Sequence, residues 1–440
     1  MIRCGLLLAL GLATAATAAA APAVETYTLK NGLRVVLAPD AQARAVDVAV
    51  WYATGPRFEP AGRSGLTHVF ERLMFRGAEG VPSGDYRRLL LAEGATVNTY
   101  SAPDFSSFFA TLPASALDVA LKLEAARMAK LRITAAELDE DRAFVRRERR
   151  SVVDVNPITQ GMERLYAAAF PSDGYGRLLL GTDADLARIA LADAEAYYRE
   201  RYGPTGATLT VVGAFDPAAA RAAVRRWFEP IPKRATSTAK VAAPAPPQPR
   251  VSGRIAGRSP LLAMSWRTPP SADPSALSLD LLARILSTRY AERTRSRDAA
   301  LTATRASFDA RRSASLFTLV GLARPGADST AAERELNALV ADLEEHPIAA
   351  AELDRAKRSW ELETLTERQT VRGRARELGS ALLVDGTLDA VDRRTEHVRN
   401  LTAEEVQADV TKVLRDDART VLWMRPTGAA PERATGEDAR

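Results

Sequence analysis

The sequence predicts an α+β chain of two related α/β domains joined by a Pro/Ala-rich linker, and three observations carry that expectation. At 440 residues the chain is longer than one ordinary hydrophobic core serves. The stretch 231 to 250 contains Ala243-Pro244-Ala245-Pro246-Pro247 and few apolar side chains, a composition that suits an extended connector between domains. Finally, the unit near the C-terminus repeats the order and spacing of 191 to 213: the capping box Thr402-Ala403-Glu404-Glu405, a helix, then the strand Thr420-Val421-Leu422-Trp423. The expected division is a leader at 1–21, a first domain at 22–230, the linker at 231–250, a second domain at 251–426 and a polar, disordered tail at 427–440.

The elements follow in order. Thr26 to Leu37 reads as a hairpin turning at Lys30-Asn31-Gly32, because Asn-Gly supplies the positive φ angles a two-residue loop needs. Ala45 to Ala53, with Val46, Val48 and Val50 alternating, reads as a strand. A helix is expected at about 62 to 76 and a second from Asp85 to Glu93, closed by Gly94. Thr96 to Leu112 carries two strands. Helices then run from about 114 to 130 and from 135 to 154, the latter opened by the capping box Thr134-Ala135-Ala136-Glu137. From about 189 to 230 come a helix, the strand Ala207 to Gly213 and a helix from Asp216 to Phe228. The second half offers the strand Leu261 to Trp266, a helix at about 274 to 296, two strands around 301 to 322, and helices at about 328 to 345 and 349 to 385.

Composition bounds the class. With 46% hydrophobic and 26% charged residues the chain is that of a soluble globular protein. Met1-Ile2-Arg3, an apolar core from Leu6 to about Ala16 and small residues at Ala18 to Ala21 read as a secretory signal, so a bacterial periplasmic or secreted location is expected. The single cysteine, Cys4, falls inside that leader, which leaves any metal site to His, Asp and Glu. No later apolar run reaches membrane-spanning length. A net charge of +5 is small beside 60 basic and 55 acidic residues, and the arginines are interspersed with acids. They read as solvated helix faces, not as a nucleic-acid surface.

The segment Gly65-Leu66-Thr67-His68-Val69-Phe70-Glu71-Arg72-Leu73-Met74-Phe75-Arg76-Gly77 is the most informative. Leu66, Val69, Phe70, Leu73 and Met74 recur at the spacing of a buried helical stripe, which puts His68, Glu71 and Arg72 together on a neighbouring face. A His-x-x-Glu-His helix uses this geometry to aim two imidazoles at a zinc ion and a carboxylate at the metal-bound water. Here arginine stands in the second imidazole's place.

The surrounding residues resemble the pitrilysin/insulinase family, which includes the mitochondrial processing peptidases. Gly65-Leu66-Thr67-His68 and Met74-Phe75-Arg76-Gly77 are similar to the flanks of the family's zinc motif. Val97-Asn98-Thr99-Tyr100-Ser101 with Asp104-Phe105-Ser106-Ser107-Phe108 is similar to its Asn-Ala-x-Thr strand and the aromatic strand after it. Gly174-Tyr175-Gly176-Arg177, Gly181-Thr182 and Val211-Val212-Gly213-Ala214-Phe215-Asp216 extend the match in order along the chain.

The resemblance implies two α/β-roll domains, each a mostly antiparallel sheet packed with helices. It implies His68 as the first zinc ligand, Glu71 as general base, Glu148 as the ligand that follows the second histidine's place by 76 positions, and Asp141 as its supporting carboxylate. Asn98 and the aromatic strand at Phe105, Phe108 and Phe109 read as candidate peptide-binding elements by edge-strand addition, with an ordinary strand with one buried face as the alternative for the aromatics. Arg297 stands where active members carry a substrate-holding arginine, but Ala303 or Thr304 replaces the tyrosine that follows, and Tyr290 precedes it.

Arg72 departs from the pattern at the decisive place, since a guanidinium has no lone pair to donate and stays protonated. The other two histidines, His346 and His397, read as plain surface or core residues. Arg72 is therefore expected to replace the metal by pairing with Glu71, Glu148 or both. The leading expectation is a peptidase homologue that binds no zinc and serves as the non-catalytic, peptide-enclosing partner of an active relative. Two alternatives stand beside it: an active zinc peptidase using His68, Glu148 and a third ligand such as Asp141 or Glu71, and a structural scaffold like the family's respiratory-chain subunits.

Overall fold

The computed structural model describes residues 24–234, 245–293 and 299–428. The leader at 1–21, the centre of the linker, Arg297 and all but two residues of the tail lie outside them.

The first half runs β1 (Glu25–Thr28), β2 (Arg34–Pro39), β3 (Val46–Tyr52), α1 (Leu66–Leu73), α2 (Asp85–Ala92), β4 (Thr96–Ala102), β5 (Phe105–Leu112), α3 (Leu117–Lys130), α4 (Ala135–Arg149), α5 (Pro157–Ala169), α6 (Asp183–Arg188), α7 (Leu191–Arg201), β6 (Ala207–Gly213) and α8 (Pro217–Phe228). The second runs β7 (Arg250–Ile255), β8 (Leu261–Thr268), α9 (Ser275–Arg293), β9 (Leu301–Asp309), β10 (Ser315–Ala323), α10 (Ser329–Glu345), α11 (Ala350–Arg368), α12 (Val371–Val384), α13 (Ala390–Asn400), α14 (Ala403–Val413) and β11 (Arg419–Pro426).

One sheet has the order β1-β2-β6-β3-β5-β4 and the other β7-β11-β8-β10-β9. In each, one parallel pair (β2 with β6, β7 with β11) is followed by antiparallel neighbours. The second sheet thus repeats the first from β2 onward, which makes the fold two related, mostly antiparallel sheets packed with helices.

Both faces of each sheet are covered, and the covering helices are exchanged between halves. Along β3 the residues Val46, Val48, Val50 and Tyr52 join the core formed with α1, α3 and α7. Ala49 and Trp51 point the other way, against Leu383 of α12 in the second half. Beside them Val36, Ala38 and Val212 meet Ala375 and Leu378 of the same helix. Reciprocally, α5 of the first half lies on the second sheet, where Leu165 packs with Ile255, Leu261, Ala263, Leu422 and Met424.

Each exchanged helix carries a glycine at its closest approach. A Cβ on Gly379 would fall 2.2 Å from the Trp51 indole, and one on Gly161 would fall 1.9 Å from Leu261 Cδ2. At the margin of the α12 contact a buried carboxylate, Asp47, faces Arg372 at 3.5 Å and accepts a hydrogen bond from Thr111 Oγ1 at 2.7 Å. The β9–β10 loop adds a second tie between the halves. Arg57 Nη1 donates to Tyr175 Oη and to Ser313 Oγ, each at 2.7 Å, and Arg311 Nη1 donates to the Tyr175 carbonyl at 2.9 Å.

Several sequence expectations need correction here. Asn31 does not adopt a positive φ; among the described residues only Ser172 does so without being glycine, while Gly32 has φ +92°. Asn31 is instead buried and donates through Nδ2 to the Phe228 and Ile231 carbonyls at 2.7 and 3.0 Å, which pins the hairpin loop to the end of α8. The helix expected to run to 154 is α-helical only to Arg149 and continues as a π-type turn over Arg150–Asp154. The helix expected at 349 to 385 is two helices, because Thr370 leaves helical geometry and its hydroxyl caps α12 through the Gly373 N–H at 2.9 Å. Helices α5 and α13 and strand β7 lay outside the elements read from the sequence.

Two outcomes test this packing. The indole beneath Gly379 is rigid and the methyl beneath Gly161 can turn aside. Gly379→Ala is therefore expected to lower unfolding free energy by about 1–3 kcal/mol despite alanine's better helix propensity, and Gly161→Ala by less. Equal denaturation midpoints for wild type and Gly379→Ala would remove the close approach as a constraint.

Burial pushes Asp47 up from 3.8 to about 6, although Arg372 and Thr111 pull it down. A carboxyl raised in this way stabilises the fold fully below its unfolded value, and that contribution is lost as pH rises through the folded value. Between pH about 4 and 6 wild type should therefore lose stability relative to Asp47→Asn, as read by denaturant titration across pH. Parallel profiles for the two proteins would show Asp47 ionised throughout.

Candidate functional site

Helix α1 is positioned from behind and from its N-terminus. Leu66, Val69, Phe70, Leu73 and Met74 are all fully buried, as the periodicity predicts. Phe70 stacks on Tyr202 with ring centroids 4.8 Å apart and meets the edge of Tyr197 at 5.5 Å. The residue before the helix, Gly65, has φ +91° and no side chain to cap it. Glu59 supplies the cap from six residues upstream, accepting the Gly65 and Thr67 N–H groups at 2.9 and 2.7 Å. Burial pushes the Glu59 carboxyl up to about 7, and the same N–H donors pull against it.

Helix α4 supplies the facing side chains. Its capping box forms, with Thr134 Oγ1 accepting from the Glu137 N–H. Leu138 and Val145 are buried in the core, while Asp141, Phe144 and Glu148, spaced i, i+3 and i+7, face α1. Together α1, α4, the start of α2 and strand β4 enclose a cleft of about 420 Å³, in which His68, Glu71, Arg72, Asp141 and Glu148 meet Asn98 and Thr99.

Within the cleft the charges sort into two groups. His68 lies between two carboxylates, with Nε2 2.9 Å from Glu148 Oε2 and Nδ1 2.7 Å from Glu71 Oε2, the second contact out of line for a regular hydrogen bond. Burial draws the imidazole pKa down, but Glu71 and Glu148 outweigh it and the net shift is upward, toward imidazolium. Arg72 turns the other way. Its Nε donates to Asp141 Oδ1 at 2.8 Å and its guanidinium lies 3.7 Å from the Phe144 ring centroid. Arg76 completes that group by donating to both oxygens of Asp141, at 2.7 and 3.1 Å, and to Glu140 at 3.0 Å.

The expected pairing of Arg72 with Glu71 or Glu148 is therefore corrected. Asp141 is fully buried and demands a cation, and His68 already occupies the space between the other two carboxylates. The peptide-facing reading of the aromatic strand also changes. Strand β5 lies inside the sheet, and Phe108 is fully buried against Tyr52, Tyr202 and Phe75. Phe105 is buried between Trp51 and Tyr100. Of β4 and β5 it is β4, which carries Asn98, that lies at an edge of the sheet.

These donors do not suit a zinc ion. Both imidazole nitrogens face carboxylate oxygens, the neighbouring ligand position is a guanidinium, and among the described residues no group of three or more His, Cys, Asp or Glu side chains is arranged to hold a metal. His346 is exposed and paired with Asp342 at 2.8 Å, and His397 lines a separate cleft beside the start of α9, so neither reaches α1.

Comparison with known proteins agrees with the architecture. The model of insulinase (peptidase family M16) matches residues 34–183, and that of the peptidase M16 inactive domain matches 188–359. The chain belongs to the pitrilysin/insulinase family. The zinc protease PqqE of Helicobacter pylori is 24% identical over 421 residues, 92% of this chain and 93% of that one. Cytochrome b-c1 complex subunit 1 of Caenorhabditis elegans is 29% identical over 195 residues, 44% of this chain and 41% of that one. Among solved structures, a protease from Helicobacter pylori superposes with a TM-score of 0.83 at 21% identity, over 92% of this chain and 100% of that one. The periplasmic protease PqqL from Escherichia coli gives 0.74 at 18% identity, over 91% of this chain and 47% of that one.

Sequence reading missed Glu59, Phe144, Arg76 and Tyr197 as parts of this family site. Phe144 was visible in principle, since it shares a helical face with Asp141 and Glu148. Glu59 carries no local signal, because its partners come from the next turn of chain. Replacing it tests the cap. Glu59→Ala should cost about 2 kcal/mol or more and Glu59→Gln less, since the amide keeps one acceptor. Amide exchange at Gly65 and Thr67, read beside the denaturation midpoint, should accelerate in the same order. Unchanged exchange in Glu59→Ala would dissociate Glu59 from the helix start.

Proposed function

We propose that this protein is a non-catalytic, peptide-binding member of its family that works as one half of a complex with an active relative. The observation that carries the reading is the division of the cleft into a His68–Glu71–Glu148 cluster and an Arg72–Asp141–Arg76 cluster. The three residues that the family uses as ligand, base and last ligand face one another, His68 lying between the two carboxylates. Moving a dication between them would require His68 to lose its carboxylate partners' proton-holding contacts, with Arg72 and Arg76 repelling the ion nearby. Asp141 supports Arg72 in this arrangement instead of supporting a metal ligand.

Peptide binding is retained in the proposal because the cleft opens along β4, an edge strand whose backbone beside Asn98 is held by Arg87 at the Val97 carbonyl and by Asn98 Oδ1 at the Thr99 N–H, so that side chains of the cleft wall line the path of a peptide. Relatives named as subunits, such as the b-c1 complex subunit, support a partnered role. Export to the periplasm is supported by the apolar N-terminal segment and by the likeness to a periplasmic protease. No helix among the described residues is long and apolar enough to cross a membrane. Arg297 stays part of the proposal as a substrate-holding residue on sequence grounds alone.

The test is metal content and peptide hydrolysis, measured side by side for wild type and Arg72→His. Wild type is expected to carry no zinc above background and to hydrolyse no peptide, while the imidazole variant takes up zinc toward one equivalent. Near-stoichiometric zinc with hydrolysis in wild type overturns the reading. Co-purification with a His-x-x-Glu-His relative, raising that partner's activity, is the result expected of a subunit; a stable complex without any effect on peptide turnover favours a scaffold.

A further inference from the structure

Resting on that reading of a metal-free peptide cleft, we propose that the cleft selects peptide carboxylates, with Arg72 and Arg87 as the residues that recognise them. The acids lining it are engaged: Glu71 and Glu148 converge on His68, and Asp141 is held by Arg72 and Arg76. Arg72 and Arg87 keep donors to spare. Only Nε of Arg72 is hydrogen-bonded, its side chain is 36% exposed, and both terminal nitrogens remain as donors. Arg87, also on the cleft wall, has no ion pair among the described residues. Its Nη2 donates to the Val97 carbonyl at 3.0 Å, which fixes the guanidinium against β4 and leaves its other N–H groups available.

Strand β4 makes this arrangement selective. A peptide laid in extended form along its edge, where Arg87 holds the Val97 carbonyl and Asn98 Oδ1 the Thr99 N–H, presents every second side chain to one face. On the cleft side those side chains pass Arg87 at the strand and Arg72 on the opposite wall, where Phe144 holds the guanidinium plane in place. A glutamate or aspartate side chain, or a chain-terminal carboxylate, can accept charge-assisted hydrogen bonds from either arginine, whereas a lysine would meet like charge. The replacement that takes away a metal-ligand position thus also furnishes an anion donor at the same place.

The experiment uses the full chain and fluorescently labelled extended peptides of one length. Glu, Gln or Lys stands at alternate positions, and each peptide is made with a free or an amidated C-terminus. The Glu peptide is expected to bind about tenfold or more tightly than its Gln counterpart, with the Lys peptide weaker still. Arg72→Gln and Arg87→Gln should each remove most of that preference by weakening the Glu peptide more than the Gln peptide, and the denaturation midpoint of each variant reports that it is folded. Arg88→Gln, on the same helix but paired with Asp85, should change nothing. A preference that follows the amidated peptides supports side-chain carboxylates, and one confined to free C-termini supports the chain end as the carboxylate. Equal affinity for Glu and Gln peptides together with no loss on amidating the C-terminus, or a preference that survives both substitutions, overturns the proposal. Zinc measured on the same samples keeps the two readings apart. A zinc-loaded, hydrolysing wild type defeats the non-catalytic reading, whereas a zinc-free protein indifferent to peptide charge defeats this one alone.

Discussion

The geometry of the cleft depends on the buried carboxylate of Asp141. An ionised group with no solvent exposure must be paired, and breaking such a pair costs far more than a surface ion pair contributes. Arg72 and Arg76, one turn apart on and just beyond α1, both reach it, so the contact ties α1 to α4 at the point where a metal would otherwise join them. Once Arg72 is committed there, His68 is left with Glu71 and Glu148. The three form a closed set in which the imidazole is favoured as a cation and each carboxylate has a partner. The cleft thus holds two ion clusters between α1 and α4, one centred on His68 and one on Asp141.

The sequence made the large features legible because they rest on local patterns. The stripe of α1, the capping boxes at Thr134 and Thr402 and the alternation in β3 each depend on residues a few positions apart, and each forms as read. The meeting of His68 with Glu148, 80 residues apart, was legible only through the family's spacing. What stayed hidden was set by tertiary contact. Asn31 looks like a turn residue but spends its amide on α8 carbonyls. Arg72 looks free to reach either glutamate until the burial of Asp141 decides the matter. Strand order decides whether β4 or β5 is the edge, and no pattern within either strand encodes it.

Helix α5 illustrates the same limit. It begins with Pro157 after a capping Asn156, a good local start, and Ile158, Met162 and Leu165 recur at helical spacing, yet nothing in that stripe says which sheet it will cover. The reason for its glycine becomes visible only against the second sheet, where Gly161 lies under Leu261. Gly379 over Trp51 is the counterpart in the other half. Both helices are shaped for contacts with sheets far away in the chain.

That exchange has a consequence for ancestry. A single half with this plan leaves one face of its sheet bare, and the helix able to cover it belongs to the other half. Such a unit closes only when a second copy lends it a helix and receives one in return, which is the arrangement of a swapped homodimer. The two-sheet chain makes the same kind of exchange within one polypeptide. Because each sheet is completed by the other's helix, a substitution on α12 is felt in the half that carries His68 and Glu148.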